Sequence, residues 1–238
     1  MASLTWLGHA SFLLESDEGK KIYVDPWLTG NPKTPDNLRR PEHVDMIAIT
    51  HGHGDHVGDA VALTKAFPGV RVICQVELKA WLLDQGAEIE DQLPGLNKGG
   101  TREFDGVHFT LVNAFHSSSS DTRDYTGEAC GIVVRLEGGR AIYFAGDTCV
   151  FGDMALIGRL YAPDYAVLPI GDFFTMGPRE AAVALELLGN PPKPTSAATD
   201  AKGRANRTAF RARLWSPAES AIMATPTRRA GRTRRPTA

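Results

Sequence analysis

Apolar residues in the first 189 positions fall mostly into short runs bounded by glycine, proline and polar clusters. Such runs are typical of β-strands, whereas apolar residues at helical spacing between a start and a stop signal predict helices. Strands are predicted over 3–15, 21–24, 44–49, 70–76, 107–114, 131–136, 141–144 and 165–170, and helices over 59–67, 77–85 and 178–188. Because hairpin turns mix with strand–helix alternation, the predicted fold class is α/β (α+β), with sheets covered by helices.

The composition of the chain changes near residue 189. The last 49 residues contain eleven Lys or Arg and two acidic residues, whereas the preceding 189 contain 15 basic and 26 acidic residues. The last 49 residues also have few large apolar side chains, so they cannot bury enough surface to offset the entropy lost on ordering. We predict one domain over residues 1–189 and a basic, low-complexity tail over 190–238.

The overall composition, 42% hydrophobic and 23% charged, is typical of a soluble globular protein. No apolar run approaches the roughly 20 residues that cross a bilayer, and no cationic, apolar leader begins the sequence. The three cysteines lie in or beside apolar stretches and are odd in number, which indicates buried thiols rather than a disulfide framework. We therefore expect a cytoplasmic protein that does not contact membranes.

The densest group of titratable side chains is the run THGHGDH at 50–56, directly after a predicted strand. His51 and His53 are two residues apart, so an extended backbone would point both imidazoles to the same side. Asp55 and His56 follow at the predicted start of a helix. Three imidazoles and one carboxylate form a nitrogen and oxygen donor set that suits Zn²⁺, with Mn²⁺ or Fe²⁺ as alternatives.

Two further polar residues stand where predicted strands end. His116 follows the strand at 107–114, and Asp147 follows the strand at 141–144. A histidine or aspartate at a strand end is commonly a turn or cap residue. Each becomes a candidate metal ligand only because the run at 50–56 is present as well.

The order of these motifs resembles that of the metallo-β-lactamase superfamily. The segments WLGHA at 6–10, DPW at 25–27, GDT at 146–148 and GDFFTMGP at 171–178 resemble more closely its ascorbate-phosphate-lactonase-like branch, the UPF0173 metal-dependent hydrolases. The resemblance covers residues 1–189. It implies an αββα sandwich of two mixed sheets with the active site at one edge of the sheets.

The resemblance also implies a ligand set for one or two divalent ions. His51, His53 and His116 would hold the first ion, Asp55 and His56 the second, and Asp147 would bridge them. A metal-activated hydroxide would then attack a small ester, lactone, phosphodiester or amide.

Five residues receive roles through this resemblance. Asp55 would orient the hydroxide and carry its proton. Asp25 would contact a ligand histidine without binding the metal ion itself. His9 is either a substrate-binding or proton-transfer residue, or a histidine whose ring is satisfied by the backbone. Asp172 and Phe173 either line the substrate cleft or belong to the core.

The pattern breaks near the end of the chain. The superfamily has one more histidine, on a strand after the helix predicted at 178–188, but no histidine follows His116. We therefore expect an incomplete C-terminal part of the sandwich and a weakened second metal site. Three explanations stay open for residues 190–238: an aberrant, frameshift-like end, a genuine basic tail that binds nucleic acid or an acidic partner, and a divergent folded ending.

The sequence thus predicts a metal-dependent hydrolase of a small-molecule substrate, with zinc as the favoured metal. The alternative is a catalytically impaired metal-binding protein that acts through its basic tail. Residues 1–189 are acidic and contain no row of basic side chains that could bind the phosphates of a nucleic acid. Nucleic acid is therefore disfavoured as a partner, except through the tail. The substrate, the occupancy of the second metal site and homo-oligomer formation stay open.

Overall fold

The computed structural model describes residues 2–90 and 94–189, together with the backbone of Ile222–Met223. Two mixed β-sheets face each other, and each has helices on its outer face. This arrangement confirms the predicted αββα sandwich. The predicted tail at 190–238 lies outside the described residues, apart from the two residues at 222–223. None of the described helices is both long enough and apolar enough to cross a membrane.

The first sheet contains five strands in chain order: β1 (Ser3–Gly8), β2 (Ser11–Glu15), β3 (Lys21–Val24), β4 (Met46–Ala48) and β5 (Arg71–Ile73). The strands β1, β2 and β3 are antiparallel, whereas β3, β4 and β5 run parallel. The helices α1 (Gly54–Val57) and α2 (Ala60–Ala66) lie between β4 and β5, and α3 (Val76–Asp84) follows β5. Leu63 of α2 and Leu78 and Leu82 of α3 pack against the outer face of this sheet.

The second sheet contains β6 (Thr101–Phe104), β7 (Val107–Asn113), β8 (Cys130–Arg135), β9 (Ala141–Phe144), β10 (Tyr165–Pro169) and β11 (Ile222–Met223). All neighbouring pairs are antiparallel except β9 and β10, which are parallel. The helices α4 (Met154–Tyr161) and α5 (Pro178–Leu187) cover its outer face with Met154, Ile157, Ala181 and Ala184.

The inner faces of the two sheets form the central core. Phe12 and Leu14 of the first sheet and Phe109, Leu111 and Phe144 of the second belong to one buried cluster. The rings of Phe12 and Phe144 lie 5.9 Å apart. Each large apolar side chain buried there contributes about 1.5–3 kcal/mol to folding, so this core fixes the two sheets against each other.

The structure corrects three predictions of local structure. The strand predicted over 3–15 is two strands, because Gly8 (φ 106°) and His9 (φ 49°) turn the chain in the left-handed region. Sequence patterns missed β6, whose residues alternate between partly buried and exposed, and α4. The third correction concerns the cysteines: Cys74 and Cys130 are buried as predicted, but Cys149 is exposed.

A buried hydroxyl on β9 leads to a stability prediction. Tyr143 is fully buried, and within the part of the chain that the structure describes its hydroxyl has no hydrogen-bond partner. A buried polar group without a partner costs about 1–3 kcal/mol. We expect Tyr143→Phe to raise the free energy of unfolding by about 1 kcal/mol, measured by urea denaturation. A destabilised variant would show that the hydroxyl has a partner in solution.

Candidate metal centre

Six strands bring polar residues to one edge of the sandwich. The strands β1, β3 and β4 of the first sheet share one direction, and β7, β9 and β10 of the second sheet share another. Strands that share a direction end at the same edge of their sheet. The residues that follow these six strand ends are His9, Asp25, His51, His116, Asp147 and Asp172.

One candidate ligand group consists of His51, His53 and His116, whose ligand atoms all lie within 4.8 Å of one another. The Nε2 of His51 is 2.9 Å from the Nδ1 of His53. The ring of His116 lies 5.1 Å from each of the other two rings. The structure thus brings together the three histidines that were predicted to hold the first metal ion.

Burial lowers the pKa values of two of these histidines. The pKa of His51 is well below 6.5, because burial and then the nearby His56 and His53 disfavour a positive charge on its ring. Burial likewise lowers the pKa of His116, although Asp147 opposes this effect. A neutral imidazole keeps a free lone pair, which is the form that binds a metal ion.

Asp147 lies between the first histidine group and His56. Its Oδ2 is 3.5 Å from the Nε2 of His56 and 3.6 Å from the Nε2 of His116. His51, His56 and Asp147 form another group whose ligand atoms are within 4.8 Å of one another. A carboxylate between two imidazole nitrogens has the position that the predicted bridging role of Asp147 requires.

A third candidate ligand group contains His9, Asp55 and His56, again with all ligand atoms within 4.8 Å of one another. The Nε2 of His9 is 2.9 Å from the Oδ2 of Asp55. The helix α1 presents Asp55 and His56 as adjacent residues, and His9 approaches from the turn between β1 and β2.

The donor atoms of the site fit a divalent cation. The Nε2 atoms of His9 and His56 are buried, and neither has a hydrogen-bond partner among the described residues. A buried polar atom without a partner is costly, unless it binds an ion or water. The convergence of imidazole nitrogens and carboxylate oxygens is the chemistry that Zn²⁺ and similar ions bind.

Asp25 lies directly behind the ligand histidines and is 1% exposed. Its Oδ1 accepts a hydrogen bond from the Thr50 backbone N–H (2.8 Å), and its Oδ2 accepts from the Thr50 hydroxyl (2.8 Å). The same Oδ2 lies 2.8 Å from the Nδ1 of His56, which is the donor of that pair. Asp25 therefore holds one proton of His56 on Nδ1, so that Nε2, which faces the site, is the nitrogen that a metal ion would bind after displacing its proton.

Thr50 extends this arrangement to His51. Its hydroxyl donates to Asp25, so it accepts from the Nδ1 of His51, 3.0 Å away. On the other side of the site, the Nε2 of His53 lies 3.2 Å from the hydroxyl of Ser117. With Nε2–H as the donor, the Nδ1 of His53 keeps its lone pair towards His51. Hydrogen bonds behind the ligands thus select one tautomer for each histidine.

The charges within the site oppose the effects of burial. Burial lowers the pKa of His56, but the carboxylates of Asp25 and Asp147 outweigh it and raise that pKa well above 6.5. Burial raises the pKa values of Asp55 and Asp147, but nearby histidines, His9 for Asp55 and His56 for Asp147, lower both below the ordinary value. The two carboxylates are therefore ionised at neutral pH, as ligands of a cation must be.

Sequence reasoning missed several residues that shape the site. Thr50 and Ser117 were not assigned roles, although each hydroxyl is adjacent in sequence to a candidate ligand. The φ of Gly52 is not positive, but a Cβ at this position would overlap the side chain of Thr126. Only the three-dimensional packing places Thr126 there, so the sequence carried no signal for it.

Comparisons with known proteins agree with this geometry. The family profile described as "Beta-lactamase superfamily domain" matches residues 20–195. The UPF0173 metal-dependent hydrolase of Herpetosiphon aurantiacus is 48% identical over 192 residues, which cover 79% of each chain. The chain belongs to the UPF0173 metal-dependent hydrolases of the metallo-β-lactamase superfamily.

Two further relatives agree with this assignment. The UPF0173 metal-dependent hydrolase of Thermococcus kodakarensis is 46% identical over 191 residues, covering 79% of this chain and 80% of that protein. The structure of Igni18, a metallo hydrolase from Ignicoccus hospitalis, is similar with a TM-score of 0.69 and 31% identity, covering 94% of this chain and 98% of that chain.

A cleft of about 380 Å³ opens beside the metal centre of this UPF0173 hydrolase. Asp172 lines the cleft, which is one of the two alternatives that the sequence left open. Phe173 does not line it: its ring is 89% exposed, and the neighbouring Phe174 forms part of the wall instead. The two phenylalanine rings meet edge to face, with centroids 4.5 Å apart. Phe173 thus contacts the cleft residue Phe174 from outside.

Four non-glycine residues beside the site have a positive φ: His9 (49°), Asp25 (46°), Asp172 (59°) and Phe173 (39°). This conformation is uncommon for residues with a side chain and costs about 1–3 kcal/mol each. Such strain persists only where surrounding contacts enforce it. Here it turns the chain directly after β1, β3 and β10, so that the following side chains face the site.

Proposed function

We propose that this metal-dependent hydrolase uses Zn²⁺ to cleave small, uncharged esters or lactones. The observation that carries the proposal is the convergence of His51, His53, His116 and Asp147 beside a cleft that has no cationic side chain among the described residues. Divalent ions bound to these residues would activate a water molecule and polarise the carbonyl oxygen of the substrate.

The protein residues would contribute positioning and proton transfer. Asp55 is 42% exposed and lines the cleft, so one carboxylate oxygen is accessible to a reacting water. Its low pKa makes it an ionised proton acceptor at neutral pH. Asp25 and Thr50 keep His51 and His56 in fixed tautomers, so that the ligand geometry does not reorganise during the reaction.

The charge of the cleft favours a neutral substrate. Its wall contains the carboxylates of Asp55, Asp147 and Asp172, and among the described residues that line it there is no Lys or Arg. Bound metal ions would neutralise Asp55 and Asp147, but Asp172 would still bring its negative charge close to a phosphodiester, with no Lys or Arg on the wall to offset it. Ala10, Pro169 and Phe174 supply apolar surface for the uncharged part of an ester or lactone.

Metal removal tests the proposal. The full chain, depleted of metal by a chelator, is expected to lose at least about 99% of its hydrolysis of aryl esters and lactones, because the activated water and the polarising charge are lost together. Zn²⁺ should restore this activity, and uncharged esters should be turned over faster than bis-aryl phosphodiesters. Ester hydrolysis that survives metal depletion, or a preference for phosphodiesters, would contradict the proposal.

A further inference from the structure

The position of His9 carries an inference about the second metal ion. The sequence alone indicates that this ion lacks one ligand, because no histidine follows His116. The structure places the Nε2 of His9 beside Asp55 and His56, the two residues predicted to hold the second ion. A histidine from the N-terminal hairpin thus reaches the place where the second site needs a donor.

Several contacts hold His9 in this position. The indole N–H of Trp6 donates a hydrogen bond to the His9 carbonyl oxygen (2.8 Å). The His9 ring meets the rings of Trp27 and His56 edge to face, with centroids 5.5 Å and 5.6 Å away. The left-handed backbone of His9 turns its side chain towards Asp55. The imidazole is therefore oriented before any ion binds.

The contact between His9 and Asp55 brings two of the candidate donor atoms together. The Nε2 of His9 lies 2.9 Å from the Asp55 Oδ2, and it has no other partner among the described residues. The Nε2 of His56 is likewise buried and without a partner among the described residues, and its Nδ1 already pairs with Asp25. Two buried nitrogens and a carboxylate that converge in this way offer three donor atoms to a shared cation, which would displace the proton from the Nε2 of His56.

We propose that His9 is a ligand of the second divalent ion, together with Asp55, His56 and Asp147. These residues would supply two nitrogen and two oxygen donors, which is the number of ligands that Zn²⁺ commonly binds in proteins. His9 then replaces the donor that the C-terminal part of the sequence lacks, and the second site is complete within residues 9–147. The proposal concerns the metal site and holds whichever substrate the enzyme hydrolyses.

The test counts zinc ions on the metal-depleted full chain after reloading and gel filtration, by mass spectrometry. The chain is expected to retain two equivalents. In His9→Asn, the affinity for the second equivalent should fall at least about tenfold, as measured by calorimetric titration. Asparagine is chosen because it tolerates a positive φ better than alanine, so the turn is preserved.

His43→Asn is the matched control. His43 lies 2.9 Å from Asp45, the same separation as His9 from Asp55, but in an exposed pair away from the site. This variant should keep both zinc ions with unchanged affinity. If His9→Asn also keeps both ions with unchanged affinity, or if the unaltered chain holds only one, the proposal is overturned. A fall in activity alone, with normal zinc binding, would instead assign His9 to proton transfer or substrate binding.

A measurement on the unaltered chain does not depend on whether a substituted chain folds. The chain has seven histidines, and ¹⁵N-histidine NMR distinguishes metal-bound from free imidazole nitrogens. With both sites loaded, five imidazoles should each show one metal-bound nitrogen, while those of His43 and His108 stay free. Four metal-bound imidazoles would exclude His9 as a ligand. Neither zinc counting nor NMR requires a substrate, so a failure of the proposed ester or lactone hydrolysis would be recognised separately.

Discussion

Asp147→Asn is expected to lower kcat/KM for ester hydrolysis by about a thousandfold or more. The Oδ2 of Asp147 lies between the Nε2 atoms of His56 and His116, so the substitution removes a negative charge from the middle of the ligand set. A thousandfold loss corresponds to about 4 kcal/mol of transition-state stabilisation, within the several kcal/mol that bound metal supplies. The measurement is steady-state kinetics at saturating Zn²⁺.

Asp153→Asn provides the matched control for this substitution. Asp153 is six residues further along the chain, is exposed, and makes no side-chain capping hydrogen bond to α4. The same chemical change there should leave kcat/KM within about twofold, because surface substitutions away from such contacts have small effects. Comparable activity of the two variants would contradict the bridging position of Asp147.

Asp25→Asn is expected to weaken Zn²⁺ binding by about 10- to 100-fold, although residue 25 touches no ion. The asparagine amide would donate to the Thr50 hydroxyl, which would then donate its own proton to the Nδ1 of His51. This moves the proton of His51 to Nε2 and removes its lone pair from the site. The amide N–H also opposes the Nδ1–H of His56. Calorimetric titration of the metal-depleted chain with Zn²⁺ measures the effect.

Asp45→Asn separates this effect from a general loss of stability. Asp45 precedes β4, at the end away from the metal centre, where it accepts hydrogen bonds from the Lys21 backbone N–H and from His43. The two aspartates therefore have similar partners at opposite ends of the same strand. Both variants should lower the melting temperature of the metal-free chain, but only Asp25→Asn should lower the affinity for zinc. Equal zinc affinity in the two variants would show that Asp25 does not control the ligand tautomers.

The predicted site residues differ in how far they can be recognised from neighbouring residues in the sequence. The run at 50–56 places four candidate ligands next to one another in the chain, so the sequence shows them directly. His116 and Asp147 were recognisable only as polar residues at strand ends, and their significance came from the family resemblance. Thr50 and Thr126 were missed because their roles depend on contacts with residues distant in the sequence.

The errors in the predicted secondary structure have the same physical origin, because they too depend on contacts between residues distant in the sequence. The strands β3, β7 and β9 are short apolar runs, and their positions were predicted closely because burial of apolar residues acts on every such run. The break between β1 and β2 was missed because Gly8 and His9 are enclosed by apolar residues on both sides. Their positive φ values are enforced by contacts made elsewhere in the fold, including those around the His9 ring.

The sequence by itself determined the class of fold and the kind of metal donors, whereas the edge of the sheets at which they lie was implied by the family resemblance. The first two features follow from patterns within single segments: apolar runs, strand ends, and histidines spaced two apart. Only the tertiary structure decided that His9 reaches Asp55 and His56, that Asp25 fixes the tautomers, and that Phe174 rather than Phe173 forms the cleft wall. Such contacts join segments far apart in the chain, and their geometry exists only once the two sheets have packed together.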